Sequence, residues 1–162
     1  KQKVIIFTSF STMSDLLTKD IPVRFGVPCN QIDGRTPVPK RQEIVDHFSA
    51  FSGSAILVLN PRAAGTGLNI TAANHVIHYN LEWNPAVEDQ ATARAYRLGQ
   101  HLPVIVHRLF YPNTIEEVMD DRIERKRRLA DTAIVGTEAA QADAADIARA
   151  LTISPADKDL SE

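Results

Sequence analysis

The sequence has a single cysteine, no long apolar run and no surplus of either charge. Cys29 stands alone among 162 residues, which excludes an intrachain disulfide or a multi-cysteine zinc site and fits a reducing compartment. No apolar segment approaches the roughly 20 residues of a membrane-spanning helix, and no signal-peptide pattern is present, so no membrane partner is expected. The formal net charge is −2, so any nucleic-acid contact has to come from a local patch.

Several catalytic signatures are also missing. The five histidines form no H-x-E or H-E-x-x-H pattern, and His75 and His78 should face opposite sides of a strand, so no metal site is expected. G-x-S-x-G is absent, which leaves a hydrolase triad unsupported. There is no G-x-x-x-x-G-K-[ST] and no D-E-x-H, the elements that cradle phosphates and hold Mg²⁺. The chain alone is therefore predicted to have no ATPase activity.

The composition is that of an ordinary soluble domain. Hydrophobic residues make up 44% and charged residues 23% of the chain, enough for one domain with a sizeable core. The chain begins at Lys1 rather than at a methionine, so we expect it to be a piece of a longer protein.

Short apolar segments alternate with amphipathic ones along the chain. Segments that are apolar throughout predict buried strands, and apolar residues spaced at i, i+1 and i+4 predict helices. Such alternation favours a parallel sheet covered on both faces, with ligands bound outside the carboxyl ends of the strands. Strands are predicted at 4–7, 31–33, 55–59, 75–79 and 104–109, and helices at 12–19, 38–50, 85–98 and 114–130.

Five ordered motifs carry the functional information. They read V-I-I-F-T-S-F at 4–10, I-D-G-R-T at 32–36, I-L-V-L-N-P-R-A-A-G-T-G-L-N-I-T-A-A at 56–73, Y-N-L-E-W-N-P at 79–85 and D-Q-A-T-A-R-A-Y-R-L-G-Q at 89–100. In this order and spacing they resemble the second RecA-like lobe of the Swi/Snf family of superfamily-two DNA translocases, over roughly residues 3–130.

The resemblance implies a fold and a division of the chain. The expected fold is α/β: a three-layer RecA-like domain with a mostly parallel central sheet, helices on both faces and a C-terminal helical extension. The expected parts are a helicase C-terminal lobe at 1–112, a helical brace at 113–151 and a flexible tail at 152–162. Seven alanines among residues 139–150 favour a surface helix within that brace.

Two arginines are the candidate catalytic residues. Arg94 and Arg97 are three apart, so on a helix they would share a face, and two guanidiniums on one face favour an anion between or near them. The resemblance implies that both reach the γ-phosphate of ATP across the cleft between two lobes, as arginine fingers that stabilise charge in phosphoryl transfer. The ATP-binding residues it implies are Gln90, Gly65, Arg94 and Arg97.

The resemblance also implies a track for DNA phosphates on the loops that follow the strands. Glycines allow close backbone approach to a ligand, and successive backbone N–H groups at a helix start form an anion nest. For the tryptophan, plain packing is the alternative interpretation. The implied DNA contacts are Ser9, Gly34, Arg35, Thr36, Arg62, Gly65, Thr66, Gly67, Asn69 and Trp83.

The sequence departs from the family pattern at a few positions. Arg35 stands where a small residue is common, and can either add a phosphate contact or be solvated. The segment at 56–73 corresponds to motif five of the family and has Pro61 and Ala64 where threonine and glycine are common. The segment at 89–100 corresponds to motif six of the family and has Ala93 and Tyr96 in place of an acidic residue and a histidine.

The sequence thus predicts one lobe of an ATP-dependent double-stranded DNA translocase, located in the cytoplasm or nucleoid. The expected cofactors are ATP and Mg²⁺, with Mg²⁺ held by an N-terminal RecA-like lobe of the same protein. The expected partners are double-stranded DNA, that lobe and a nucleoprotein target. Two alternatives remain open: an RNA helicase lobe of the same superfamily, and a non-catalytic module that docks DNA or protein.

Overall fold

A computed structural model of the chain describes residues 2–63, 67–96, 99–100, 102–131, 145–146, 148–149 and 152. Within these ranges the strands and helices follow one another in the predicted order. The elements are β1 (Lys3–Phe7), α1 (Ser11–Phe25), β2 (Cys29–Ile32), α2 (Val38–Ala50), β3 (Ala55–Leu59), β4 (His75–His78), α3 (Pro85–Thr92), β5 (Ile105–Arg108) and α4 (Ile115–Asp131).

The five strands form one sheet in the order β2-β3-β1-β4-β5, and every pair of neighbours is parallel. Side chains alternate across this sheet. Ile6 and Val58 pack with Ile21 of α1 on one face, while Ile5 and Leu57 share the other face with residues of α2 and α3, namely Val45, Phe48 and Ala91. The predicted three-layer α/β fold is therefore confirmed.

Helix α1 is longer than the sequence suggested. The sequence predicts a helix over 12–19 only, whereas α1 runs from Ser11 to Phe25 and contains Pro22, although proline lacks a backbone N–H and costs about 3 kcal/mol inside a helix. Ile21 is buried in the core, and the helix ends one turn later at Gly26, whose φ of 63° is left-handed and whose N–H bonds to the Pro22 carbonyl.

The chain divides into two compact units. The first comprises Lys1–Asn80 and Ala86–Leu109, and contains the sheet; the second comprises Leu81–Pro85 and Phe110–Glu162. In the second unit α4 contributes Met119 and Ile123 to a small core with Leu81. The three-part division expected from the sequence stays a prediction. The alanine-rich helix at 139–150 and the tail at 152–162 lie almost entirely outside the described residues.

Candidate functional site

Polar side chains meet where the central strands end. Thr8, directly after β1, donates from Oγ1 to Asn80 Oδ1 over 2.9 Å, and the backbone N–H of Ser9 donates to the same oxygen over 3.2 Å. On the other side of β1, Asn60 donates from Nδ2 to the Ser9 carbonyl. Ser9 therefore lies between two asparagines that each follow a neighbouring strand, at the edge where ligands of parallel sheets bind.

In motif five, the turn that follows β3 is organised by Asn60. Its Oδ1 accepts hydrogen bonds from the N–H of Arg62 and of Ala63, a local pattern typical of asparagine. Gly67 has a φ of 67°, a conformation that L side chains rarely adopt, so the glycine is required there. Arg62, Gly67 and Asn69 are exposed, whereas Gly65 and Thr66 lie outside the described residues.

The D-G-R-T element forms a turn after β2. The N–H of Thr36 donates to the Asp33 carbonyl, and Thr36 Oγ1 accepts from the N–H of Asp33. Gly34 is exposed with open space around it. The guanidinium of Arg35 is ion-paired with Asp33 and with Asp15 of α1, each at 2.6 Å.

Electrostatics at this turn follow from those ion pairs. Hydrogen bonds from Arg35, with a further one from Gln31, lower the pKa of Asp15 from 3.8 to about 2. Arg35 likewise lowers the pKa of Asp33, and the two carboxylates together raise the pKa of Arg35. All three groups are therefore charged at neutral pH, and together they carry one net negative charge.

Arg41 of α2 joins this turn to motif five. Its Nε donates to the Thr36 carbonyl over 2.9 Å, and its Nη1 donates to the Ala63 carbonyl over 2.7 Å. The sequence placed Arg41 in no functional role. Its spacing from Val45 and Phe48, both buried in the core, is the signal that fixes which way the arginine points.

Of the two motif-six arginines, Arg94 does not lie on a helix, contrary to the prediction that it shares one helix face with Arg97. Helix α3 ends at Thr92 rather than at 98, and Arg94 lies in the turn that follows. The helix ends early because backbone N–H groups 94 and 95 bond three residues back, to the Ala91 and Thr92 carbonyls. Arg94 is 7% exposed, and Arg97 lies outside the described residues.

Other parts of motif six are described. Gln90 is exposed on α3. Gly99 has a φ of 103°, a conformation that suits glycine far better than any other residue. Neither observation tests a contact with ATP, so the nucleotide roles of Gln90, Gly65, Arg94 and Arg97 stay predictions.

Motifs five and six are joined directly. The N–H of Ile70 donates to the Arg94 carbonyl over 3.0 Å. The side chain of Gln100 donates from Nε2 to the carbonyls of Thr71 and Ala73, at 2.9 and 2.6 Å, while its Oε1 accepts from the N–H of Leu102. Motif five, for which the resemblance implies DNA contact, and motif six, for which it implies nucleotide contact, thus form one hydrogen-bonded unit.

Buried polar groups hold α3 on the sheet. Glu88 is 1% exposed, and its Oε2 lies 3.2 Å from Nε of Arg108 on β5. His78 on β4 lies 2.9 Å from Thr92 Oγ1, and its ring is stacked on Phe7. Sequence reasoning missed this pair of contacts. The only signal in the sequence was a charged residue on a predicted helix, Glu88, and another on a predicted strand, Arg108, and this did not show that the two form a pair.

Trp83 belongs to the second unit. Its side chain is 39% exposed, and the guanidinium of Arg122 on α4 lies 5.4 Å from its ring centroid, within cation–π range. The tryptophan is therefore held on one side by α4 while part of its surface stays accessible.

Three further observations concern the described residues. Within those ranges, no three His, Cys, Asp or Glu side chains are grouped to hold a metal ion, and no helix is long and apolar enough to cross a membrane. Burial raises the pKa of the Cys29 thiol to about 11, so it is protonated at neutral pH and is no nucleophile.

Comparison with known proteins gives consistent relatives. YwqA of Bacillus subtilis, named as an ATP-dependent helicase/translocase, is 42% identical over 133 residues, which is 82% of this chain and 14% of YwqA. The mouse DNA repair and recombination protein RAD54B is 38% identical over 134 residues, 82% of this chain and 15% of that protein. The chain therefore spans about one seventh of the length of these relatives.

Solved structures agree. The C-terminal part of the Fun30 ATPase domain superposes with a TM-score of 0.71 at 32% identity, covering 75% of this chain and 39% of that one. The Sulfolobus solfataricus SWI2/SNF2 ATPase core, solved in complex with double-stranded DNA, gives 0.70 at 31% identity, covering 94% and 32%. The model of the helicase conserved C-terminal domain family matches residues 1–99. The chain belongs to that family, as a helicase C-terminal lobe of the Swi/Snf type.

Proposed function

We propose that this chain is the second RecA-like lobe of an ATP-dependent double-stranded DNA translocase, completed by an N-terminal lobe of the same polypeptide. The observation that carries the proposal is the bonding of motif five to motif six through Ile70, Arg94 and Gln100. A lobe that converts nucleotide state into movement on DNA needs its two contact segments to move together. Relatives named for helicase or translocase activity and for DNA repair support the same conclusion.

On the DNA side, the loops after β1, β2 and β3 would contact phosphates of the duplex, and Trp83 in the loop after β4 would lie close to the DNA. Backbone N–H groups, hydroxyls and arginines serve this purpose without reading sequence. Exposure of Arg62, Gly67 and Asn69 is consistent with that role. The proposed contacts are Ser9, Gly34, Arg35, Thr36, Arg62, Gly65, Thr66, Gly67, Asn69 and Trp83.

On the nucleotide side, Arg94 and Arg97 would face ATP bound to the other lobe, with Gln90 and Gly65 beside them. A guanidinium that contacts the γ-phosphate stabilises the charge that builds up during phosphoryl transfer, an effect of about 10³–10⁵ in rate. The carbonyl of Arg94 is bonded to Ile70, so the backbone at this arginine is fixed relative to motif five.

Mg²⁺ belongs with the other lobe in this proposal. The described residues offer no cluster of metal ligands, and the sequence lacks the motifs that cradle phosphates and hold Mg²⁺. We therefore assign no step to the metal in this chain. The chain by itself is expected to hydrolyse no ATP.

The test is ATP hydrolysis by the polypeptide that carries both lobes, with and without duplex DNA. Arg94→Ala and Arg97→Ala should each lower the DNA-stimulated rate by about 10³-fold or more. Arg24→Ala is the matched control, because Arg24 is an exposed arginine of α1 in an ion pair with Asp20, and it should leave the rate within about twofold.

The remaining outcomes separate the alternatives. Stimulation by an RNA duplex of equal length, but not by DNA, would favour an RNA helicase lobe. Unchanged hydrolysis in both arginine variants would contradict the finger role and favour a docking module. Magnesium-dependent turnover by this chain alone, unaffected by Arg97→Ala, would overturn the whole assignment.

A further inference from the structure

The guanidinium of Arg35, in the turn after β2, donates four hydrogen bonds to two carboxylates of the protein. Nε and Nη2 donate to Asp33 Oδ2, at 2.9 and 2.6 Å. Nη1 and Nη2 donate to the two oxygens of Asp15, at 3.0 and 2.6 Å. We call Asp15, Arg35 and Asp33 the clasp.

The two carboxylates of the clasp differ in what holds them. The Asp33 side chain is 6% exposed, and it also accepts from the backbone N–H of Arg35 within the turn. Asp15 comes from α1, and its side chain is 37% exposed. Asp33 is therefore a fixed partner of the arginine, while Asp15 is a partner that solvent and ligands can reach.

Asp15 is nevertheless oriented. Gln31 of β2 donates from Nε2 to Asp15 Oδ1 over 2.9 Å. The Oε1 of Gln31 accepts from the hydroxyls of Ser14 and Thr18 on the same helix as Asp15. This network orients the Asp15 carboxylate toward Arg35, so the ion pair has a defined geometry.

A DNA phosphate and the Asp15 carboxylate are chemically equivalent partners for Arg35. The guanidinium fork binds either anion through two parallel N–H···O bonds. Asp15 occupies the edge formed by Nη1 and Nη2, and Asp33 occupies the edge formed by Nε and Nη2. A phosphate can reach Arg35 by replacing Asp15 while Asp33 stays bound.

We propose that Asp15 is a positioning residue that sets how strongly this lobe holds duplex DNA, by competing with a backbone phosphate for Arg35. The proposal rests on the proposed function, in which the turn after β2 faces the DNA. Arg35 then binds a phosphate only after Asp15 is displaced. When the duplex advances and the phosphate leaves, Asp15 forms its ion pair with Arg35 again. The clasp thereby lowers the affinity of the lobe for duplex DNA while keeping Arg35 able to contact a phosphate.

The experiment is a double-mutant cycle on the polypeptide that carries both lobes. Binding of a fluorescently labelled duplex of mixed sequence is followed by anisotropy at several salt concentrations, for wild type, Asp15→Asn, Arg35→Gln and the double variant. Asp15→Asn should tighten binding by about threefold to tenfold. It should also steepen the salt dependence by about one ion, because Arg35 is then released to neutralise a phosphate.

The sign of the coupling decides between competition and simple repulsion. If Asp15 competes with DNA for Arg35, the gain in duplex affinity from Asp15→Asn shrinks in the Arg35→Gln background, because the guanidinium for which the two anions compete is absent. If Asp15 only repels DNA, the gain grows in that background, because the carboxylate has lost its screening partner. A gain that is equal or larger with Arg35→Gln overturns the proposal.

Two controls complete the cycle. Asp20→Asn also removes a carboxylate from an ion pair on α1, that with Arg24, and should change duplex binding by less than about twofold. Asp15→Ala must reproduce the gain of Asp15→Asn, which guards against a folding effect of one substitution. Failure of wild type to bind duplex overturns the proposed function together with this proposal, whereas normal binding with zero or reversed coupling overturns this proposal alone.

Discussion

The N–H of Ile70 donates a 3.0 Å hydrogen bond to the carbonyl of Arg94, and this bond joins two segments 24 residues apart in the chain. Both are irregular segments, whose backbone groups cannot be satisfied within a helix or strand. Their mutual bonding means that a displacement of one segment is transmitted to the other. Gln100 strengthens the link, since its amide spans from motif six to two motif-five carbonyls.

Gln100→Glu should destabilise the lobe by about 2 kcal/mol or more, as expected when a half-buried donor is replaced by a charged acceptor. The carboxylate would face the carbonyls of Thr71 and Ala73, which repel it. The midpoint of thermal unfolding should fall by about 5 °C for a domain of this size. Gln90→Glu, an exposed change on α3, is the matched control and should shift it little. Equal effects of the two substitutions would contradict a linking role for Gln100.

Glu88→Gln should cost about 3 kcal/mol, because it removes the charge that compensates a largely buried Arg108. The Glu88 side chain is 1% exposed and that of Arg108 is 16% exposed. Urea unfolding of the variant measures the loss, with the exposed Glu43→Gln on α2 as a control of the same chemistry. Combining Glu88→Leu with Arg108→Met should recover most of the stability, since a buried ion pair often gains little over apolar residues of similar volume.

Arg41→Ala should loosen the two turns that Arg41 joins. Each lost bond involves a charged donor, so the free energy of unfolding should fall by about 2 kcal/mol. Under the proposed function, the duplex concentration that half-stimulates ATP hydrolysis should rise as well. The neighbouring exposed residue provides the control: Lys40→Ala should leave both quantities nearly unchanged. A loss of duplex affinity with unchanged stability would instead indicate that Arg41 itself contacts DNA.

The parallel sheet could be predicted because its central strands are continuous apolar segments of the sequence. Ala55–Leu59 is apolar throughout and was placed at the observed bounds. The positions of the motif residues at the carboxyl ends of the strands followed from the same pattern. Element order and the edge that carries the site could thus be predicted from local composition alone.

The contacts that organise the site could not be predicted, because they depend on tertiary geometry. The end of α3 at Thr92 is set by backbone bonds to the next turn and to Ile70, and no proline or glycine marks it in the sequence. Arg35 illustrates the same limit. Its interpretation as a phosphate contact or a solvated residue could not include Asp15, which lies 20 residues away on another element.

The clasp should also make the stability of the lobe depend on pH in the acid range. Arg35 lowers the pKa of Asp15 in the folded protein from 3.8 to about 2. A carboxyl whose pKa is depressed by folding contributes stability that is fully present above its unfolded pKa and is lost as the pH falls through its folded pKa. Asp33, whose pKa is lowered in the same direction, adds to the effect. The contribution is therefore present above about pH 4 and disappears toward about pH 2.

Arg35→Gln isolates this contribution from that of every other carboxyl group in the chain. Without the guanidinium, the pKa of Asp15 should return toward its ordinary value, so wild type should unfold at a higher temperature than the variant at about pH 5. The difference between the two melting temperatures should then shrink steadily toward about pH 2, where Asp15 is largely protonated in the variant and about half protonated in wild type. Because Asp15 is partly exposed, high salt should reduce the difference at every pH. A difference that stays constant between these pH values would mean that Arg35 stabilises the turn through packing rather than through its ion pairs.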